Sequence, residues 1–538
     1  MKTSKLARTM FVVLLVAALA MQSVFACTIF LVGKDATTDG STIASHNDDS
    51  SGADYRLWII PGGEHAEGDM RDLVMDSHNY GDFTNYPEVK DYGNGTIISQ
   101  IPEAAETYNY LHSRYSFINA KGVAMGESTM SVSRTTDFMK HSYEVMNKVK
   151  ALGLIDCWNA QDIALERATT ARKAVEIMGA LIEEFGWYDS GECMNICDGN
   201  EAWVFECYGG PLWVAFRLPD NAFFVNANRA RIDHVEWDSP DWLYYDGLWD
   251  FAVENGLTTG NGTKEEFSPA EAYAPCTSLG CTLREWRALS LVNSSLDLDP
   301  SNLERYPLYT IPDHKLSVQD ILDLASDYYQ GTPYDVSKQP EAGPYGDPLS
   351  PQNVYRTINL SRTCYVMIAN IKGWLPDEAK CLVWYGYGAA DSTYLTPLWP
   401  SMKELPEMYR IGTRYEKFQR ESAWWTNVYV TEVARINYQS AIQDIKGFRQ
   451  PILDELYETV DEVQAVASRL ILEGKKDAAI NLLNSFGNTT AIKWHEDWLE
   501  LGDTLMGRYM FGNKNMKSVA YNANYKKMIN AARDTYND

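Results

Sequence analysis

Basic side chains are the scarce class in this 538-residue sequence: 47 Lys and Arg stand against 73 Asp and Glu, a formal charge of −26. So acidic a chain gains no counterion release on phosphate backbones or anionic lipid, which argues against nucleic acid and membrane surfaces as partners. Familiar catalytic signatures are missing too. There is no HExxH helix, no G-x-S-x-G elbow, no Walker loop and no G-x-G-x-x-G turn. The histidines (His46, His65, His78, His112, His141, His234, His314, His495) show no metal-ligand spacing. The 36 glycines follow no period and no heptad run persists, which excludes collagen-like, coiled-coil and low-complexity readings, and no internal repeat is evident. The one long apolar run, Met10–Met21, is shorter than the ~20 residues of a membrane span.

What is present supports a large globular enzyme. Apolar residues make up 45% of the chain, enough for a sizeable core. Sixteen Trp and 33 Tyr would suit sugar stacking, so a glycosidase carboxylate pair stays open at this stage. Residues 1–26 read as an export signal: Lys2, Lys5 and Arg8 precede the apolar run, and Val24-Phe25-Ala26 offers a cleavage site. Those three cations are the segment's only charges, so the remainder would carry −29. A periplasmic or extracellular protein is expected.

Cleavage after Ala26 would leave Cys27 first. Such a residue joins a thiol to an α-amine with a pKa of ~8, so nucleophile and base share one residue. The thiolate would attack an amide and form a thioester that water hydrolyses. Two other fates stay open: lipidation of Cys27, which would block both groups and make a membrane-tethered binding protein, and a structural disulfide. The nine cysteines are an odd number, which leaves at least one thiol unpaired. Cys193 with Cys197, or Cys276 with Cys281, are near enough in sequence to bridge.

Thr28–Val32 reads as a buried strand, Asp39-Gly40 as a hairpin turn and Thr42–Ala44 as the returning strand. Residues 61–100 read as long loops, and Gly122–Gly126 as an internal strand. A helix follows Thr170 and ends at Gly186, and Ser317 with Asp320 forms a capping box for a helix reaching about Tyr329. Strands are expected at 202–205, 213–216, 223–225, 364–371 and 381–387. Beyond about residue 420 only amphipathic helices remain, at 422–447, 451–473, 475–486 and 490–506, with breaks at Gly447–Pro451, Gly474 and Gly487. The division expected is 1–26 signal, 27–420 catalytic body and 421–538 helical extension, the last offering apolar surface for a homo-oligomer.

In the hairpin, His46-Asn47-Asp48-Asp49 returns beside Cys27, where a carboxylate can hold a protonated α-amine. The start Cys27–Lys34, the turn Asp39–Thr42 and Asn47–Ser50 resemble the dipeptidase A/secernin family of cysteine peptidases, relatives of penicillin V acylase and bile-salt hydrolases. The likeness runs on through Lys121–Thr129, Glu201–Glu206, Trp213–Ala215, Val225–Arg229, Ser361-Arg362, Leu382–Gly386 and Ala423–Trp425. The resemblance implies an α+β fold, the four-layer αββα sandwich of N-terminal-nucleophile hydrolases, and cysteine-type hydrolysis of dipeptides without metal or organic cofactor. It makes Cys27 the nucleophile, Asp49 the carboxylate orienting the amine or thiol, Asn228 an oxyanion donor and Arg362 a cation favouring thiolate. Asn226 rivals Asn228, and Arg356 rivals Arg362. Glu127 to Thr129 falls at a substrate or oxyanion position, so Glu127 and Thr129 join Asp48 and His46 as expected substrate contacts; His46 replaces a usual Arg. Asp48 and Glu127 would suit a dipeptide's ammonium group. An amidase for N-acyl amino acids, bile-salt conjugates or penicillin V is the alternative within the fold.

Overall fold

The computed structural model describes residues 27–50, 55–75, 96–412 and 417–537. The expected signal at 1–26 lies outside the described residues. The strands are β1 (Thr28–Val32), β2 (Thr42–Asp48), β3 (Trp58–Ile60), β4 (Met70–Met75), β5 (Thr96–Pro102), β6 (Tyr110–His112), β7 (Ser116–Asn119) and β8 (Ala124–Thr129). They continue with β9 (Glu192–Cys197), β10 (Ala202–Gly209), β11 (Leu212–Leu218), β12 (Phe223–Asn226), β13 (Trp242–Tyr244), β14 (Tyr365–Ile371), β15 (Cys381–Tyr387) and β16 (Thr396–Leu398). A six-stranded sheet runs β12-β1-β2-β14-β15-β16 and an eight-stranded sheet runs β13-β11-β10-β9-β8-β7-β6-β3. The pairings within both are antiparallel. The protein is therefore mixed α+β.

The apolar strands follow from burial on both faces. All of β1 is buried, and neighbours along β15 point opposite ways. Tyr385 stacks on Phe117 of the facing sheet at 5.6 Å, while Trp384 meets Tyr457 of the helix Tyr438–Leu472 at 4.9 Å. Between the sheets, the Asn195 side chain donates to the carbonyls of Phe30 and Ser45 at 2.6 and 2.9 Å and accepts from Gly126 N at 2.6 Å. Buried backbone polar groups at the sheet interface are thereby satisfied. A side chain at Gly126 would start 2.8 Å from the His46 Cβ, so only glycine lets β8 press this closely on β2. That close approach brings Glu127 to the Cys27 end of the first sheet.

Helices cover the outer faces. Cys157–Arg167 and Ala171–Phe185 form a core with Met194, Trp203, Phe205 and Trp213 of the eight-stranded sheet. Thr170 caps the second of these through Lys173 N, and Gly186 at φ 71° ends it, as the sequence predicts. The Ser317–Asp320 capping box is present, but its helix stops at Ala325. Two expectations need correction. Residues 61–100 are not simply loops, because β4 and β5 pair as a two-stranded sheet. The C-terminal segments are not four helices: Tyr438–Leu472 runs unbroken through Gly447 and Pro451, and Lys476–Tyr509 runs through Gly487. Arg449 and Leu453 are buried beside Pro451, and the Arg449 guanidinium donates to the carbonyls of Ala390 and Thr393. Tertiary anchoring of this kind outweighs the ~3 kcal/mol intrinsic cost of an interior proline. At Gly487 an added Cβ would lie 3.1 Å from Met402, so the glycine serves packing. Among the described residues no helix is long and apolar enough to cross a membrane.

Candidate active site

The hairpin register explains how the site assembles. Thr28 pairs with Asn47 and Ile29 with His46, so Cys27 comes opposite Asp48 at the sheet's end. On its other side Ile29 pairs with Asn226, which brings Asn228 alongside Cys27. The Cys27 thiol donates to Glu127 Oε1 at 2.9 Å and lies 3.9 Å from Asp48 Oδ1. Glu127 Oε1 is also 3.3 Å from His46 Nε2, and His46 Nδ1 is 3.0 Å from the Tyr365 hydroxyl. The Thr129 hydroxyl donates to Glu127 Oε2 at 3.3 Å. Asp49, one residue beyond β2, turns the other way: it accepts from Thr363 at 2.7 Å and pairs with Arg356 at 3.3 Å. Asp48 is thus the aspartate that meets the thiol, while Asp49 acts on it only through its charge.

These carboxylates define the electrostatics. Burial pushes the Cys27 thiol well above its ordinary value, and Glu127, Asp48 and Asp49 push it further. Burial raises Asp48 to about 7 against the pull of His46 and Arg114. Asp49 is raised by burial too, opposed by Arg356 and the Thr363 hydrogen bond. Burial also works against the Glu127 carboxylate, but the His46 imidazole 3.3 Å away prevails and holds it below the ordinary range. The adjoining Glu192 goes the opposite way, pushed up by burial and by the charge of Glu127. The thiol, the His46 imidazole and the Glu127 carboxylate place donor atoms within 4.8 Å of one another, a ligand set that suits Zn²⁺.

Asn228 holds a left-handed backbone at φ 66°, a conformation asparagine tolerates. Its N–H donates to Ser128 Oγ and Asn226 Oδ1, both at 2.9 Å, and its side-chain amide donates to Thr129 O at 2.9 Å. Asn226 instead spends its side chain on the local turn, donating to Arg229 O. Asn228 is therefore the asparagine tied to the surroundings of Cys27. The tie is Arg284, a residue sequence reasoning missed. From the helix Leu279–Val292 its buried guanidinium donates to Cys27 O, Thr28 Oγ1, Ala227 O, Asn228 Oδ1 and Gly280 O at 2.7–3.0 Å. Its signal was an arginine on the apolar stripe, between Cys281 and Ala288.

A cavity of about 1380 Å³ opens beside this cluster, and its wall includes Met130, Cys281, Arg284, Arg356 and Arg362. Cys27, only 2% exposed, lies one side chain behind that wall. Of the expected site residues, only Arg362 lines the cavity; Asp49, Asn228, His46, Asp48, Glu127 and Thr129 do not. Arg362 sits on the cavity wall, while Arg284 contacts the Cys27 carbonyl and Arg356 holds Asp49. His46, at 0% exposure, bridges Glu127 and Tyr365 and does not reach the cavity. Among the described residues all nine cysteines are free thiols. Cys193 and Cys197 cannot bridge, because four residues along β9 span about 13 Å. Cys276 and Cys281 are in thiol contact at the cavity wall, and that contact with Cys276 draws the Cys281 thiol down to about 6.

A mixed α+β body with a thiol and three carboxylates gathered at one sheet end is the setting of a hydrolase. The chain belongs to peptidase family C69, which residues 26–450 match. It is 26% identical over 453 residues to a probable dipeptidase A of Streptococcus pyogenes serotype M18, covering 82% of this chain and 88% of that protein. A dipeptidase of Bifidobacterium longum is 24% identical over 485 residues, covering 84% of this chain and 85% of that protein. Dipeptidase A of Lactobacillus helveticus is 24% identical over 464 residues, with 82% and 89% covered.

Proposed function

We propose that this peptidase is an exported cysteine-type dipeptidase whose nucleophile, Cys27, gains its free amine when residues 1–26 are removed. The observation that carries the reading is the Cys27 thiol at the start of β1 with Glu127 at 2.9 Å and Asp48 at 3.9 Å. A buried thiol among carboxylates is a poor nucleophile, and an ammonium group placed there corrects it. Two ammonium groups fit: the α-amine of Cys27 once released, and that of a dipeptide's first residue, two bonds from the carbonyl under attack. The reading takes the paired sheets and their helical covers as the four-layer αββα arrangement of N-terminal-nucleophile hydrolases, with 421–538 as its helical extension.

In this mechanism the Cys27 amine takes the thiol proton, and sulfur attacks the peptide carbonyl to form a tetrahedral oxyanion. Asn228 is positioned by Thr129 and Arg284 to oppose that charge. Collapse breaks the C–N bond, the departing amine takes the proton back, and a thioester remains. Water, deprotonated by the same amine, releases the first amino acid.

The test is hydrolysis of dipeptides by protein that begins at Cys27. Cys27→Ser and a form retaining one extra residue are both expected to lose most activity. Equal turnover by the extended form would defeat the role of the amine, and hydrolysis of N-acyl amides in preference to dipeptides would favour the amidase reading. Mass spectrometry of the exported protein separates a free Cys27 from a lipidated one.

A further inference from the structure

The cavity reverses the charge of the molecule. The whole chain is acidic, yet five cations line the cavity (Arg134, Lys150, Arg284, Arg356 and Arg362), and among the described residues Asp189 is its only lining carboxylate. Three of the five are committed. Arg284 is spent on five acceptors, Arg356 pairs with Asp49, and Lys150 neighbours Asp189. Arg134 and Arg362 form no ion pair among the described residues. Arg134 is exposed with its guanidinium 3.9 Å above the Tyr143 ring, and the Arg362 Nε is buried with no hydrogen-bond partner. A buried donor without a partner is costly unless a ligand supplies the acceptor.

We infer that this cavity receives the second residue of the substrate and selects an acidic one, so that dipeptides ending in Asp or Glu are preferred. The inference rests on the dipeptidase reading. In a dipeptide the first residue's ammonium lies next to the scissile carbonyl, where Asp48 and Glu127 flank the thiol. The second residue then projects away from Cys27 into the cavity, with its α-carboxylate and any side-chain carboxylate. One carboxylate needs one guanidinium; two guanidinium groups without an ion pair among the described residues match a residue carrying two. Charged hydrogen bonds of this kind discriminate strongly against a neutral isostere. A cationic cleft in an acidic protein also concentrates anionic ligands locally.

The experiment compares kcat/KM for Ala-Glu, Ala-Gln and Ala-Lys with protein beginning at Cys27, at low and high salt. Ala-Glu is expected to exceed Ala-Gln by about tenfold, with Ala-Lys lowest. Salt should narrow the gap, because part of the wall is solvent-exposed. Arg134→Gln and Arg362→Gln should each shrink the Glu/Gln ratio. Turnover of Ala-Gln equal to or above that of Ala-Glu overturns the pocket assignment and leaves the dipeptidase reading standing. If no dipeptide is turned over, calorimetry on the Cys27→Ala protein decides. Tighter binding of Ala-Glu than Ala-Gln keeps the pocket and removes only the peptidase reading, whereas equal binding or none overturns the pocket.

Discussion

Freeing the α-amine of Cys27 should change the acidity of its own thiol, and the size of the change follows from the geometry. The nitrogen and sulfur of one cysteine are about 3.5 Å apart by covalent geometry. At an effective dielectric near 20, a unit charge at that distance is worth about 4–5 kcal/mol, or about three pH units. The sign opposes burial and the three carboxylates, which hold the thiol up in the untrimmed chain. Asp48 and Glu127 stand where they would keep the new ammonium charged. The comparison is between protein beginning at Cys27 and the same protein with one glycine ahead of it. Iodoacetamide labelling across pH, read at the Cys27 peptide by mass spectrometry, reports the thiolate. Peptide resolution is essential, because Cys281, drawn down to about 6 by its contact with Cys276, is a second thiol on the cavity wall. Alkylation midpoints for Cys27 that agree within about half a unit would refute the reasoning, since no charge would then have reached the sulfur.

Arg284→Met should cost about 3–5 kcal/mol in urea unfolding, because the buried acceptors around Cys27 lose their shared donor; a loss below about 1 kcal/mol would show that the clasp is dispensable. For Asp48, the folded state holds a proton that the unfolded chain releases near its ordinary value of 3.8, since burial raises the group to about 7. Its stabilising contribution is therefore complete below pH ~4 and disappears as pH rises through ~7. In the glycine-extended protein, Asp48→Asn should flatten that fall and gain up to about 4 kcal/mol at pH 8 by denaturant titration. Parallel stability–pH curves for the two proteins would refute the burial of an ionisable Asp48.

Much of the first sheet was legible from local pattern. The apolar run at Thr28–Val32, the Asp39-Gly40 turn (Gly40 has φ 81°) and the returning strand specify a hairpin, and its register alone puts Cys27 opposite Asp48. The helix after Thr170 and the Ser317 capping box were legible for the same reason: caps and periodicity are short-range chemistry. The breaks expected at Gly447, Pro451 and Gly487 failed because propensity is weak beside tertiary packing. Which of the two adjacent aspartates faces the sulfur was not legible, because β2 ends at Asp48 and the alternation of facing stops there.

From the order of residues alone come the acidic balance, the thiol at the head of a buried strand and the carboxylates returning beside it. Each needs only neighbouring residues and the period of a strand. Three-dimensional packing decided the rest. Gly126 lets the second sheet deliver Glu127 to the thiol across 100 residues, and Arg284 reaches the Cys27 carbonyl across 257. Cations scattered between residues 134 and 362 converge on one cavity of a negatively charged chain. Such meetings depend on how sheets and helices stack, and side chains so far apart in sequence leave no local period by which they could be foreseen.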